Sequence, residues 1–95
     1  MKYIAFYEID KNNVGKAIEK WKKLRADEKI QEMIPKGISD NYVFSSGLEG
    51  FQLFETDDPE KIRYLTGYYF PEVKFKFKLI LEAAKNVELV EKMNQ

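Results

Sequence analysis

Two stretches of this chain repeat one strand-to-helix pattern, and that repeat limits the folds open to it. The stretches are FYEIDKNNVGKAI at residues 6–18 and LFETDDPEKIRYL at residues 53–65. Each runs from two apolar residues through a Glu and polar capping residues into an amphipathic helix. Two more strands are predicted, at residues 38–46 and 72–80. The resulting order, β-α-β-β-α-β, is that of an α+β, ferredoxin-like fold.

Capping residues place the ends of the predicted helices. The first helix covers Val14 to Leu24, and Asp27 is positioned to cap a separate short helix after it. Asp57 is predicted to cap the next long helix. The inner face of that helix includes Leu65 and either Tyr68 or Tyr69. An extra terminal helix is predicted in residues 82–95.

The faces of the predicted strands indicate a partner. The last strand alternates apolar residues with Lys74, Lys76 and Lys78, as an edge strand does. The first strand instead carries large apolar residues on both faces, such as Tyr3 on one and Phe6 on the other. Two helices cover only one face of such a sheet, so an apolar second face predicts an identical chain packed sheet against sheet. That arrangement is a dimeric α/β barrel, a homodimer joined through the sheet face.

Composition limits the chemistry and the partners. The chain of 95 residues is too short for two hydrophobic cores, so residues 1–95 are interpreted as one domain. It has no Cys and no His, which excludes a thiolate nucleophile and a Ser-His-Asp triad, and we expect no metal and no cofactor. Sixteen basic and sixteen acidic residues cancel, so a nucleic-acid partner is not expected. Without an apolar run of about 18 residues, no membrane partner is expected either, and the predicted location is the cytoplasm.

Acidic residues at the ends of two predicted strands form the candidate catalytic site. Within the ETDD segment, Asp57 is interpreted as the helix cap and Asp58 as a residue of the first turn, whereas Glu55 still belongs to a strand. Glu8 holds the matching position in the repeat. If the two strands are adjacent and parallel, their backbones lie about 5 Å apart, and like charges at that distance raise a pKa. Glu8 or Glu55 is then a candidate general base; the alternative is that both are solvated and paired with Lys.

Aromatic residues form the candidate ligand-binding site. Fourteen Phe, Tyr and Trp residues, 15% of the chain, exceed what a small core usually needs. Tyr7, Trp21, Tyr64 and Tyr68 are the candidates to line a pocket between helices and sheet for a flat or apolar ligand. The alternative is that these rings only fill the core and the dimer interface.

Three stretches of the chain resemble a known family. They are KYIAFYEI at residues 2–9, GFQLFETDDPEKI at residues 50–62 and PEVKFKFKLI at residues 71–80. Together they resemble the domain of unknown function 3303 family, within the dimeric α/β-barrel superfamily. The resemblance covers residues 2–80, with the helix from Glu82 outside it. It implies a fold and a dimer, but no established activity.

These observations predict a dimeric protein that binds a small hydrophobic or aromatic molecule. Two alternatives stay open. One is a non-catalytic dimeric interaction or regulatory module. The other, implied only by the resemblance at superfamily level, is a cofactor-independent oxygenase or isomerase with Glu8 or Glu55 as its base. Whether the protein is an enzyme is left open by the sequence.

Overall fold

A computed structural model describes residues 1–94 as an α+β fold of five antiparallel strands and four helices. The elements in chain order are β1 (Lys2–Ile9), α1 (Val14–Ala26), α2 (Glu28–Met33), β2 (Lys36–Gly37), β3 (Tyr42–Val43), β4 (Glu49–Glu55), α3 (Pro59–Tyr69), β5 (Val73–Ile80) and α4 (Ala83–Met93). Gln95, the last residue of the predicted segment 82–95, lies outside the described residues. Within the described part of the chain, no helix has the length and apolar character needed to cross a membrane.

The sheet has the strand order β2-β4-β1-β5, with β3 also paired to β4. The central strands are therefore β1 and β4, and they run antiparallel, with Ala5 opposite Gln52 and Tyr7 opposite Gly50. The expectation that these two strands run parallel was wrong. The turn at Gly47, which has a left-handed φ of 77°, reverses the chain just before β4 and sets its direction.

The strand predicted at residues 38–46 is instead two short strands, β2 and β3, separated by a loop at residues 38–41. Ser39 accounts for the break. Its hydroxyl accepts a hydrogen bond from the backbone N–H of Leu53 at 2.8 Å, and its carbonyl accepts one from Gln52 Nε2 at 3.3 Å. Side-chain hydrogen bonds of this kind replace the regular backbone ladder.

Two helix starts test the predicted capping residues. Asp27 caps α2 as predicted, because its side chain accepts hydrogen bonds from the backbone N–H groups of Lys29 and Ile30. For α3 the predicted cap, Asp57, was wrong by one residue. Asp58 fills that role and accepts a hydrogen bond from the backbone N–H of Glu60 at 2.9 Å.

The core lies between one face of the sheet and helices α1 and α3. Its buried apolar residues are Ala5, Ala17, Phe54, Leu65, Tyr69 and Val73. Ala5 has no exposed surface, and its small side chain lets a helix approach the centre of the sheet. The face of β1 that carries Ala5 and Tyr7 is therefore the one that meets the helices.

The opposite face of the sheet, called the outer face from here on, has no helix over it. Its apolar centre consists of Ile4 and Phe6 on β1 and Leu53 and Phe51 on β4, which lie opposite one another in register. All four are only half-buried. The Tyr42 ring extends this apolar surface by stacking on Phe51, with ring centroids 5.3 Å apart.

An ion pair holds α1 against the turn between α3 and β5. Lys20 Nζ lies 2.6 Å from Glu72 Oε2, and the Glu72 side chain is only 11% exposed. The Tyr68 hydroxyl donates a further hydrogen bond to the Lys20 carbonyl at 2.7 Å. The hydrogen bond from Lys20 lowers the pKa of the Glu72 carboxyl below its usual value. A charged pair in this position fixes α1 at one end of the sheet.

We expect the Lys20–Glu72 pair to make the free energy of unfolding depend on pH in the acidic range. Because the pKa of Glu72 is lower in the folded than in the unfolded chain, the pair stabilises the fold above the unfolded pKa. That stabilisation is lost as the pH falls through the folded pKa. Glu72→Gln should lower the free energy of unfolding at pH 7 and flatten its decline in acid, measured by urea unfolding. Equal effects from Glu82→Gln, at a carboxylate 57% exposed, would contradict this.

Two glycines should respond to alanine in opposite ways. A Cβ at Gly50 would collide with the carbonyl oxygen of Tyr42 and the hydroxyl of Tyr7, whereas nothing lies within 4 Å of one at Gly67. Gly50→Ala should lower the free energy of unfolding by roughly 1–3 kcal/mol through overpacking. Gly67→Ala, in the last turn of α3, should raise it by at most roughly 0.5–1 kcal/mol through helix propensity. Thermal and urea unfolding of both variants check the pair.

Candidate ligand-binding cleft

A cleft of about 1300 Å³ lies between the helices and the helix-facing side of the sheet. Its lining includes Tyr7, Trp21, Ile34, Phe54, Tyr69 and Phe75. Small-molecule pockets usually measure about 300–1,000 Å³ and are mostly apolar with a few polar groups. This cleft combines rings and aliphatic groups with many polar and charged residues, among them Arg25, Glu32 and Lys61; it is slightly larger than that range and open to solvent on one side.

The packing of α1 explains why the cleft exists. Ala17 is buried against the sheet, but Ile18 and Trp21, the next residues on the apolar stripe of α1, remain 46% and 40% exposed. The sequence placed Trp21 on the core side of its helix, and in the structure it lies on the wall of the cleft. The guanidinium of Arg25 sits 5.0 Å from the centre of the Trp21 ring and helps to orient it.

Tyr69 provides the most distinctive polar group in the cleft. The residue is only 7% exposed, and its ring packs 5.1 Å from Tyr68 and 5.5 Å from Phe75. Its hydroxyl has no hydrogen-bond partner among residues 1–94, whereas every fully buried polar side-chain atom there has one. The hydroxyl therefore reaches the open space of the cleft. Burial raises the pKa of Tyr69, so at neutral pH the group is a hydrogen-bond donor.

Sequence reasoning did not select Tyr69 as a site residue. A signal for it was present, because Tyr69 follows Leu65 by four residues and so shares its helix face. Leu65 is 2% exposed, and this fixes the phase of α3.

Tyr7 closes one side of the cleft. Its hydroxyl donates to Asn41 Oδ1 at 2.7 Å and lies 3.1 Å from the carbonyl oxygen of Tyr42. The ring passes over Gly50, where any side chain would collide with it. Burial raises the pKa of Tyr7, so this hydroxyl also stays protonated. Tyr7 thus ties the loop at residues 38–41 to the central strand.

The other two predicted ligand-binding residues lie away from the cleft. Tyr64 and Tyr68 stack on each other with ring centroids 6.4 Å apart and nearly parallel planes. The hydroxyl of Tyr68 is engaged by the Lys20 carbonyl, and neither residue is part of the cleft lining. The structure therefore brings Tyr7 and Trp21 together on the cleft and places Tyr64 and Tyr68 outside it.

The two candidate catalytic glutamates do not form a pair. Because β1 and β4 are antiparallel, Glu8 lies opposite Glu49 and Glu55 lies opposite Lys2. Six residues of β4 separate the two positions, about 20 Å along the strand. Glu55 lies on the cleft lining, whereas Glu8 is exposed and lies elsewhere. Within residues 1–94, no three acidic residues are grouped as a metal site requires.

Comparison with known protein families matches residues 1–94 to a family described as domain of unknown function (DUF3303). The chain belongs to the DUF3303 family. The match continues through α4, so the expectation that the resemblance ends at residue 80 was wrong. Neither the curated proteins nor the solved structures contain a match to this chain.

In this DUF3303 protein, we expect Tyr7→Phe to loosen the loop beside the cleft. The substitution keeps the ring but removes the hydroxyl that joins β1 to Asn41 and Tyr42. The loss should cost about 0.5–1.5 kcal/mol. Hydrogen exchange should become faster at the Phe44 amide, which donates to the Glu49 carbonyl just beyond the loop.

Tyr3→Phe is the matched control for this prediction. Tyr3 lies on the same face of β1, and its hydroxyl makes no hydrogen bond within residues 1–94. If the two variants exchanged equally at Phe44, the Tyr7 hydroxyl would not be what holds the loop.

Proposed function

We propose that this protein is a homodimer that binds a small, largely hydrophobic or aromatic molecule in the cleft between its helices and its sheet. The observation that carries the proposal is the Tyr69 hydroxyl, which belongs to a buried residue, opens into an apolar cleft and has no protein partner within residues 1–94. Because the cleft is open to solvent, this hydroxyl is not cut off from water, and an acceptor on a ligand would take the place of water there.

The surroundings of Tyr69 suggest the chemistry of the ligand. The walls offer ring faces and aliphatic groups, including the exposed face of Trp21. These groups suit a flat or apolar molecule. The protonated Tyr69 hydroxyl can donate a hydrogen bond, so a hydrogen-bond acceptor is one group that complements it. A ring system that carries a carbonyl or ether oxygen combines both properties.

The dimer in this proposal is a dimeric α/β barrel, in which two ferredoxin-like sheets meet through their outer faces. The strand order β2-β4-β1-β5 supports a ferredoxin-like sheet. The apolar, half-buried centre of the outer face supports the contact between sheets. A stable protein interface buries about 800 Å² on each partner, which is the contact area that the proposed dimer requires.

The proposal assigns binding and no reaction. Glu55 lies on the cleft lining but Glu8 does not, so the two cannot act together on one bound molecule. A non-catalytic interaction module would instead leave the cleft unused. The experiment below distinguishes that alternative from the proposed function.

Trp21 makes the proposal directly testable, because it is the only tryptophan in the chain and lies on the cleft. Native mass spectrometry of the purified protein should show a dimer that carries extra non-covalent mass. Titration with 1-tetralone, a bicyclic aromatic ketone, should change the Trp21 fluorescence and saturate. A dimer without added mass and a Trp21 signal unchanged by the ketone would favour the interaction module.

Tyr69→Phe tests the proposed hydrogen bond. Wild-type protein should bind 1-tetralone more tightly than tetralin, which has the same rings without the carbonyl, by about two- to tenfold. The variant should lose that preference and keep its affinity for tetralin. Tyr64→Phe, outside the cleft, should behave as wild type. Equal preference for the ketone in wild type and Tyr69→Phe would remove the assigned role of Tyr69.

A further inference from the structure

Within residues 1–94, helix α4 is not packed against the rest of the chain. Every residue from Ala83 to Met93 is exposed, and α4 makes no extended contact with another element. The described chain measures 54 Å along its longest axis, compared with 31 and 20 Å along the others. An isolated helix of eleven residues is marginal in water, so most of its stability has to come from packing of an apolar face.

The α4 helix has such a face. Ala83, Val87 and Val90 follow the i, i+4, i+7 spacing and form one stripe, the α4 stripe. Val87 and Val90 are 54% and 46% exposed. At about 100° per residue, Glu91 lies about 40° from Val87 and borders the stripe on one flank, and Glu88 lies about 60° further round the same side of the helix.

The outer face of the sheet has the complementary pattern. Its apolar centre is bordered along β5 by three exposed lysines, Lys74, Lys76 and Lys78, called the lysine row. None of the three has an ion-pair partner among residues 1–94. Successive lysines of the row lie about 6.7 Å apart, so Glu91, which borders the stripe, can face a lysine of the row when the stripe packs beside it.

We propose that α4 is an exchanged arm that packs its apolar stripe on the β5 border of the outer face of a second copy of this chain. Glu91, with Glu88 further round the same side of the helix, then lies towards the lysine row of that copy, and the same contact occurs a second time through the two-fold symmetry of a dimer. The inference rests on the proposed homodimer, and it adds α4 as an element that contacts the partner.

The connection between β5 and α4 favours a second copy over the chain's own sheet. Only Leu81 and Glu82 separate the two elements, and Glu82 has an extended backbone. The Glu82 carboxylate lies 3.7 Å from Lys2 and 3.8 Å from Lys85, contacts that hold the start of α4 in its outward direction. Covering its own outer face would require this linker to reverse. A second copy can be reached without that change.

The absence of cysteine from the chain makes disulfide mapping unambiguous. Protein carrying Glu91→Cys is labelled with nitrogen-15 and mixed with unlabelled protein carrying Lys76→Cys. The mixture is then oxidised mildly. Mass spectrometry should find a disulfide between the two kinds of chain. Lys85→Cys, on the opposite side of α4, is the matched control and should give far less product with Lys76→Cys.

A chain that carries both Glu91→Cys and Lys76→Cys tests whether α4 covers the outer face of its own chain instead of that of a second copy. Closure within single chains at high dilution, without product between chains, would mean that α4 folds back on its own sheet. That result would overturn the exchanged arm, as would the absence of any disulfide.

Charge reversal tests the same contact without cross-linking. Glu88→Lys with Glu91→Lys should raise the dimer dissociation constant at least about tenfold in sedimentation experiments at low salt. Adding Lys76→Glu and Lys78→Glu to that chain should restore most of the affinity. Lys85→Glu with Lys92→Glu, which changes α4 by as many charges on its other side, should have little effect.

The outcomes separate the arm from the proposal on which it rests. A monomeric wild-type protein would overturn both the dimer and the arm. A dimer that is insensitive to charge reversal in α4 would overturn the arm alone and leave the sheet-face dimer in place. Ligand binding is followed independently through Trp21, which is far from these substitutions in the chain.

Discussion

The antiparallel pairing of β1 with β4 is the constraint on which the rest of this structure depends. It sets Tyr7 opposite Gly50, so that the aromatic ring can lie over a strand position without a side chain. From there the Tyr7 hydroxyl holds Asn41 and the loop beside the cleft. The same register gathers Ile4, Phe6, Phe51 and Leu53 at the centre of the outer face. One pairing therefore produces both the cleft and the surface proposed for dimerisation.

Local signals in the sequence were sufficient for most of the secondary structure. The alternation of β5 and the capping role of Asp27 depend on neighbouring residues, and both appear in the structure as expected. Strand direction depends on how the chain returns to the sheet, and the parallel pairing assumed for Glu8 and Glu55 failed for that reason. The break in the second strand depends on Ser39 bonding to a strand distant in sequence, which no local pattern reveals.

Some residues of the candidate site could likewise be predicted from local sequence patterns, and others could not. Tyr7 and Trp21 were identifiable because strand alternation and helical spacing fix the side on which a residue lies. The choice between Tyr68 and Tyr69 could not be made locally, because adjacent helical residues differ by about 100° in direction. Packing decides it: Leu65 enters the core and brings Tyr69 with it, while Tyr68 turns towards Lys20. A tertiary contact, and not the residue type, thus selects the tyrosine that reaches the cleft.

The state of the Tyr69 hydroxyl also determines what the cleft can do with a bound molecule. A tyrosine hydroxyl is protonated at neutral pH, and burial raises the pKa of Tyr69 further, so the group can orient an acceptor but does not serve as a base. The chain has no histidine or cysteine to perform that role, and Glu55 borders the cleft but lies on the side of β4 that also carries Leu53, without Glu8 beside it. Recognition of an acceptor-bearing ring requires only the groups already in place. A reaction in this cleft would have to depend on Glu55 alone or on reactivity supplied by the ligand, and this is why binding is the function that the geometry supports best.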